Sequence, residues 1–215
     1  MLPLAENLLH LILEYQFEGR YVNMVIMLFG ITNVGKTVTG EKLAAKLNYS
    51  FFDLDEEIKK RFQMTLENFL KENPYPYERH KIKGKILKDL LNEHKDNMVI
   101  AVSPIYYARF FNSLIDLEQV IAIELQDSEE HIFERLVFSD ENDNVYQDDT
   151  YKEEHKDYYI KDIHEDIVYA RKLFKKIENK YFINNRSVDQ VVDELIVMIQ
   201  GIMMSQSCQN SSPRA

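Results

Sequence analysis

A single cysteine, Cys208, stands among the 215 residues and falls near the carboxyl end. No disulfide can form within the chain, and nothing in its cysteine usage calls for an oxidising compartment. Long apolar runs are missing too. None approaches the ~20 residues that a bilayer-spanning helix requires, so no membrane association is expected. The apolar stretch at residues 8–13 is bracketed by Glu6 and Glu14 and has neither a basic leader nor a small-residue cleavage site, which argues against a secretory signal. The expected compartment is the cytoplasm. Positive charge is in deficit, with 26 Lys and Arg against 36 Asp and Glu and a formal net charge of -10. The lysines are scattered among acids rather than gathered in a patch, which excludes a nucleic-acid partner. His80, His94, His131, His155 and His164 show no metal-ligand spacing with cysteine, so no zinc site is expected.

The length suits one α/β domain with a sizeable core, and 45% hydrophobic with 29% charged residues is ordinary for a globular chain. Residues 2–15 carry Leu2, Leu4, Leu8, Leu9, Ile12 and Leu13 at helical spacing. They predict an amphipathic extension over residues 1–20, packed on the domain surface, with docking of a protein partner as its alternative role. The domain proper is expected over residues 24–202, and residues 203–215 read as a polar, disordered tail. Within the domain, short apolar runs at residues 24–29, 50–53, 98–102, 120–125 and 181–183 read as strands. Helical patterns separate them, with a strongly acidic, solvated excursion at residues 139–157. Such alternation predicts a parallel sheet with helices on both faces.

The first strand runs into Gly30-Ile31-Thr32-Asn33-Val34-Gly35-Lys36-Thr37, and a helix follows it. This is the G-x-x-x-x-G-K-[ST] pattern in its required setting. Glycine is needed where the backbone curls around phosphate, lysine reaches the β- and γ-phosphates, and the hydroxyl ligates magnesium. The anion is expected where the amides from Asn33, Val34, Gly35, Lys36, Thr37 and Val38 converge at the positive end of the helix. ATP and Mg2+ are therefore the expected cofactors. A local site of this kind works whatever the sign of the global charge.

Asp53 and Asp55 close the second strand, two residues apart, and point to one side if the backbone stays extended. Beyond the carboxyl ends of the strands they should face the phosphate loop. One can hold magnesium while the other accepts a hydroxyl proton, or either can simply cap the next helix.

The ordered set GITNVGKT, FFDLDEEIKKR and the Ile-Ala-Ile-Glu-Leu strand followed by residues 129–135 resembles the shikimate kinase family over roughly residues 24–200. The resemblance implies a nucleoside-monophosphate-kinase-like P-loop NTPase fold in three layers, with a five-stranded parallel sheet of order 2-3-1-4-5. It also implies a substrate-binding helical region after the second strand and a lid after the fourth. It places Asp53 near magnesium, Asp55 on the acceptor hydroxyls, Arg79 on the acceptor carboxylate and Arg135 against adenine. Three departures accompany it. The family's Gly-Gly-Gly after the third strand falls on Ser103-Pro104-Ile105, which adds bulk and removes an N–H. Residues 139–157 contain no arginine to match the lid arginine. A further substrate arginine is out of register, with Arg171 one position away as its candidate substitute.

The sequence thus predicts a small-molecule kinase that uses Lys36 and Asp55 to transfer phosphate from Mg-ATP to a hydroxyl, with shikimate as the leading acceptor. Two alternatives stand beside it: an ATP-binding regulator or scaffold without transfer, and a kinase of a nucleoside or sugar, whose acceptor Tyr75, Tyr77, Tyr106 and Tyr107 would suit.

Overall fold

The computed structural model describes residues 23–210 and, ahead of them, the paired two-residue segments Gln16–Phe17 and Arg20–Tyr21. The helix expected at residues 2–15, and residues 211–215 of the expected tail, lie outside the described residues. The chain proceeds through β1 (Val25–Phe29), α1 (Lys36–Leu47), β2 (Ser50–Asp53), α2 (Leu54–Phe62), α3 (Leu66–Glu72), α4 (Pro76–Glu93) and β3 (Met98–Ala101). A 3-10 turn (Ala108–Phe110) and α5 (Asn112–Ile115) lead to β4 (Val120–Gln126) and α6 (Glu129–Glu134). Then come β5 (Phe138–Ser139), β6 (Val145–Tyr146), α7 (Asp149–Glu154), α8 (Lys156–Leu173), β7 (Asn179–Phe182) and α9 (Val188–Asn210).

Five strands form one parallel sheet in the order β2-β3-β1-β4-β7, the expected arrangement. All residues of β1 and β3 are buried, as a strand covered by helices on both faces demands, whereas the edge strands β2 and β7 are only partly covered. Val25 lies opposite Met98 on one side and Val120 on the other, so the strand that feeds the phosphate loop is the middle of the sheet. Among the strand residues of this sheet, one charged side chain is buried. Glu124 of β4 is buried, and Lys180, its register partner on β7, pairs with it while also donating to the Phe174 carbonyl at 2.8 Å.

Two sequence expectations are corrected. The closing helix does not stop at residue 202: α9 reaches Asn210, because Met203 continues the buried Leu195–Ile199 row at a spacing of four and Ser205 Oγ donates to the Gly201 carbonyl at 2.9 Å. The helical pattern that the sequence shows from about residue 158 to 179 ends sooner in the structure, at Leu173 of α8. Phe174 and Ile177 turn inward there, with Ile177 N donating to the Phe174 carbonyl at 3.0 Å. The acidic excursion at residues 139–157 is solvated, as expected, and it also carries regular structure. Phe138, Tyr146, Tyr151 and Tyr159 gather ring on ring with centroids 5.7–5.8 Å apart, and the antiparallel β5–β6 hairpin and α7 form around them. Asp140 closes the hairpin turn by accepting from Asn142 N and Asn144 N, and Asp148 caps α7 by accepting from Tyr151 N.

Candidate active site

The phosphate loop is built by conformations few residues tolerate. Gly30 sits at φ +143°, and a Cβ there would stand 2.6 Å from the Leu125 carbonyl oxygen, so only glycine lets the loop leave β1 against β4. Asn33 at φ 60° and Gly35 at φ 102° complete the curl. Val34 is wholly buried, which fixes the loop from below and leaves its amide as its polar contribution. Gly35 caps α1 with no side-chain bond, so the first amides of the helix stay open to an anion. Thr37 and Val38 are exposed in the first turn of α1.

Lys36 is buried, and its Nζ donates to the Ile31 carbonyl at 2.7 Å. Burial depresses its pKa to about 8; the Asp55 and Asp53 carboxylates partly offset this, Lys83 adds to the depression, and Asp166 opposes it. Lys36, Asp53 and Asp55 thus share one cleft, as expected. The route there differs from the sequence argument. The backbone does not stay extended, since α2 begins at Leu54, whose side chain is fully buried. Asp53 does two jobs at once. Its Oδ1 caps α2 by accepting from Asp55 N at 2.9 Å, and its Oδ2 accepts from Thr37 Oγ1 at 2.7 Å. Asp55, in the first turn, has its Oδ1 3.4 Å from the Nζ of Lys83.

Lys83 was not singled out from the sequence. It lies one helical turn beyond Arg79 on α4, and that i, i+4 relation was the available signal. Its Nζ also donates to Ser103 Oγ at 2.8 Å, so α4 is tied to the segment after β3 beside Asp55. The close approach depends on the next residue. A Cβ on Gly84 would fall 2.7 Å from the Phe110 Cβ and 2.9 Å from its carbonyl oxygen. Arg79 is half-buried, and its Nη1 donates to the carbonyls of Asn73 and Pro74, both at 2.9 Å. Of the tyrosines, Tyr75 is exposed, while Tyr77, Tyr106 and Tyr107 pack with Phe110 and the buried His80. Burial, together with Lys83 and Arg79, lowers the His80 pKa to about 4, so its ring is neutral near neutral pH.

Across the cleft, Asp166 of α8 lines a crevice with Gly30, Pro104, Tyr106, Tyr169 and Ala170. Its carboxyl is pushed up by burial and by Asp162 and Glu165. One residue is about 100° of helix, and Arg171, the candidate substitute for the out-of-register arginine, lies beside a different depression, with Ile31, Val34, Gln126, Asp127, Ile167 and Phe182.

Arg135 stands at the end of α6, near that second depression. Its Nη2 donates to Asp127 Oδ2 at 2.7 Å. Asp127 is buried, and its Oδ1 accepts from Ser128 N and His131 Nδ1, both at 2.9 Å, and from Asn184 N at 3.2 Å. One carboxylate therefore joins β4, α6 and the segment after β7. The sequence reading passed over Asp127. Ser128, His131 and Arg135 lie within eight residues of it, a local spacing that could have pointed to it, whereas the bond from Asn184 comes from 57 positions away.

The shikimate kinase family model matches residues 32–200, which is most of the chain. The chain belongs to the shikimate kinase family. A shikimate kinase of Aquifex aeolicus is 36% identical over 78 residues, 36% of this chain and 45% of that protein. The pentafunctional AROM polypeptide of Schizosaccharomyces pombe is 26% identical over 186 residues, 81% of this chain and 10% of that protein. The aligned segments thus span less than half the length of these two relatives. In three dimensions the crystal structure of the Aquifex aeolicus shikimate kinase superposes with a TM-score of 0.61 at 26% identity, covering 83% of this chain and 97% of the other. That of the Bacteroides thetaiotaomicron shikimate kinase, at 20% identity, has a TM-score of 0.65 and shares the fold.

The residues present suit a magnesium ion. Hard oxygens of Thr37 and Asp53 meet beside the phosphate loop, and Mg2+ typically takes one or two such protein ligands, completing its shell with water and phosphate oxygens. Among the described residues no group of three His, Cys, Asp or Glu side chains forms a fuller cage.

Proposed function

We propose that this protein is a magnesium-dependent kinase that transfers the γ-phosphoryl group of ATP to a hydroxyl of a small metabolite, with shikimate as the leading acceptor. The observation that carries the reading is the meeting of Thr37, Asp53, Asp55 and the buried Lys36 in one cleft at the carboxyl ends of the parallel strands. In this reading the amides of residues 33–38 cradle the phosphates, and Lys36 neutralises charge as it shifts during transfer. Thr37 and Asp53 would hold the magnesium, which when bound would supply neutralisation of phosphate charge. Asp55 orients the acceptor hydroxyl and takes its proton, Arg79 faces the acceptor's carboxylate with the guanidinium nitrogens its backbone bonds leave over, and Arg135 lies against adenine. Family membership supports shikimate as acceptor, and Asp127 supports Arg135 by holding its guanidinium.

No helix among the described residues is long and apolar enough to cross a membrane. A second reading, nucleotide binding without transfer, draws on Pro104, which has no N–H to offer an acceptor, and on a lid segment without arginine. Release of ADP from Mg-ATP, with shikimate and then with small sugars and nucleosides, separates the two. Stimulation by shikimate that is lost in Lys36→Ala and Asp55→Asn is the expected result. ATP binding with no stimulated release by any acceptor would refute the kinase reading.

A further inference from the structure

Lys83 is a cation of this cleft that the family resemblance does not assign. Its side chain is 15% exposed, which is deep for an ammonium, and two neighbours use it: Ser103 Oγ at 2.8 Å and Asp55 Oδ1 at 3.4 Å. An ammonium carries three donors, so one remains. Its location is the informative part. Ser103 begins the segment where the resemblance leads one to expect three glycines whose backbone approaches the acceptor. Here Pro104 has no N–H and Ile105 is buried, so the segment has surrendered much of its capacity to donate. The nearby arginines do not fully replace it. Arg79 already spends Nη1 on the carbonyls of Asn73 and Pro74, and Arg171 lines a separate depression.

We infer that Lys83 contacts the acceptor: its ammonium takes over the donor place that Pro104 vacates, braces Asp55 from the side, and reads the acceptor's anionic group. The inference rests on the proposed acceptor site at Asp55. The arrangement is self-consistent in charge. Asp55 alone would repel an acid, and Lys83 cancels that charge while leaving the Asp55 oxygen remote from it free to accept from a hydroxyl. Gly84 makes the placement possible, since a side chain there would hold α4 away from Phe110 and draw Lys83 off Ser103.

The test is calorimetric binding, in the presence of Mg-ADP, of shikimate and quinate, each paired with its uncharged methyl ester. Binding needs no turnover, so it reads this inference separately from transfer. The unaltered protein should favour each acid over its ester by about tenfold or more, the order expected of a hydrogen bond to a charged group. Lys83→Met should weaken acid binding several-fold more than ester binding, so that the preference shrinks to what Arg79 alone supplies, while Mg-ATP affinity stays within about twofold, and Lys83→Arg should keep part of the lost preference. The unchanged Mg-ATP affinity verifies folding. Equal losses for acid and ester in Lys83→Met would overturn the inference and reduce Lys83 to a brace for Asp55. No preference for acid in the unaltered protein would overturn it as well. If the acid preference behaves as expected and no phosphoryl transfer is found, the kinase reading fails and the assignment of Lys83 stands.

Discussion

Thr37 and Asp53 come from opposite ends of a strand crossover and meet at 2.7 Å, hydroxyl to carboxylate, while the other oxygen of Asp53 caps α2. The same carboxylate thus sets the helix that carries Asp55 and supplies an oxygen beside the phosphate loop. The two duties can be separated. Asp53→Asn keeps a side-chain oxygen able to cap, so its stability in urea should stay close to that of the unaltered protein, but loss of the charge should weaken the magnesium dependence of ATP binding at least tenfold. Asp53→Ala loses the cap too and should cost about 1 kcal/mol in addition. Equal magnesium dependence in all three proteins would mean that Asp53 is only a cap.

Burial sets the acid–base behaviour of Lys36. Its folded pKa of about 8 lies below the ordinary lysine value of 10.5, so between those values the unfolded chain binds more protons. Stability therefore gains with rising pH through that window from this group. Nucleotide binding should run the other way, because phosphate favours the charged lysine. Mg-ATP affinity should fall as pH rises above about 8, and binding near pH 8.5 should take up a fraction of a proton. Calorimetry in two buffers of different ionisation enthalpy measures that uptake, and Lys36→Met should abolish it.

How legible the molecule was in its sequence depended on whether a feature was local. The phosphate loop, its buried strand and its helix were all readable, because a parallel strand, a curled backbone and a helix start each leave a contiguous signature. Asp53 and Asp55 were readable as residues, and so was capping of the next helix, which Asp53 performs; the extended backbone that would turn both to one side does not form, because Leu54 starts a helix by burying its side chain. Lys83 and Asp127 escaped because their importance lies in partners on other elements, Ser103 twenty positions away and Asn184 fifty-seven away. The lid hairpin escaped for another reason. Its aromatic residues are separated by acids, and composition conceals a cluster that forms only when Phe138 meets Tyr146, Tyr151 and Tyr159.

Asp127 is expected to act on ATP through Arg135. Burial works against its ionisation, but hydrogen bonds from His131, Arg135 and Ser128 N outweigh that cost and hold the carboxyl below its usual range. Its contribution is present above the ordinary carboxylate pKa and is lost as pH falls through the lowered folded value. Asp127→Ala leaves the Arg135 guanidinium without its acceptor and frees the Asn184 segment, so about 3 kcal/mol of stability should be lost. The KM for ATP should rise roughly tenfold or more while that for the acceptor changes little. A rise confined to the acceptor KM would place Arg135 elsewhere than at the nucleotide.

His80 should give the protein an acid-sensitive step. It packs edge-on to Tyr106 with ring centroids 5.0 Å apart, and its Nδ1 is buried without a hydrogen-bond partner. With a folded pKa of about 4 against an ordinary 6.5, the unfolded chain takes up the proton first as pH falls. Stability tied to the neutral ring is thus complete above about pH 6.5 and drains away between there and 4, by about 1–2 kcal/mol at pH 5. His80→Phe cannot titrate and should flatten that part of the profile, even if its larger ring lowers stability uniformly. Urea midpoints for both proteins near pH 7 and pH 5 provide the check, since a uniform packing cost cancels in the difference between the two pH values. An unchanged difference in the variant would assign the acid sensitivity to other groups.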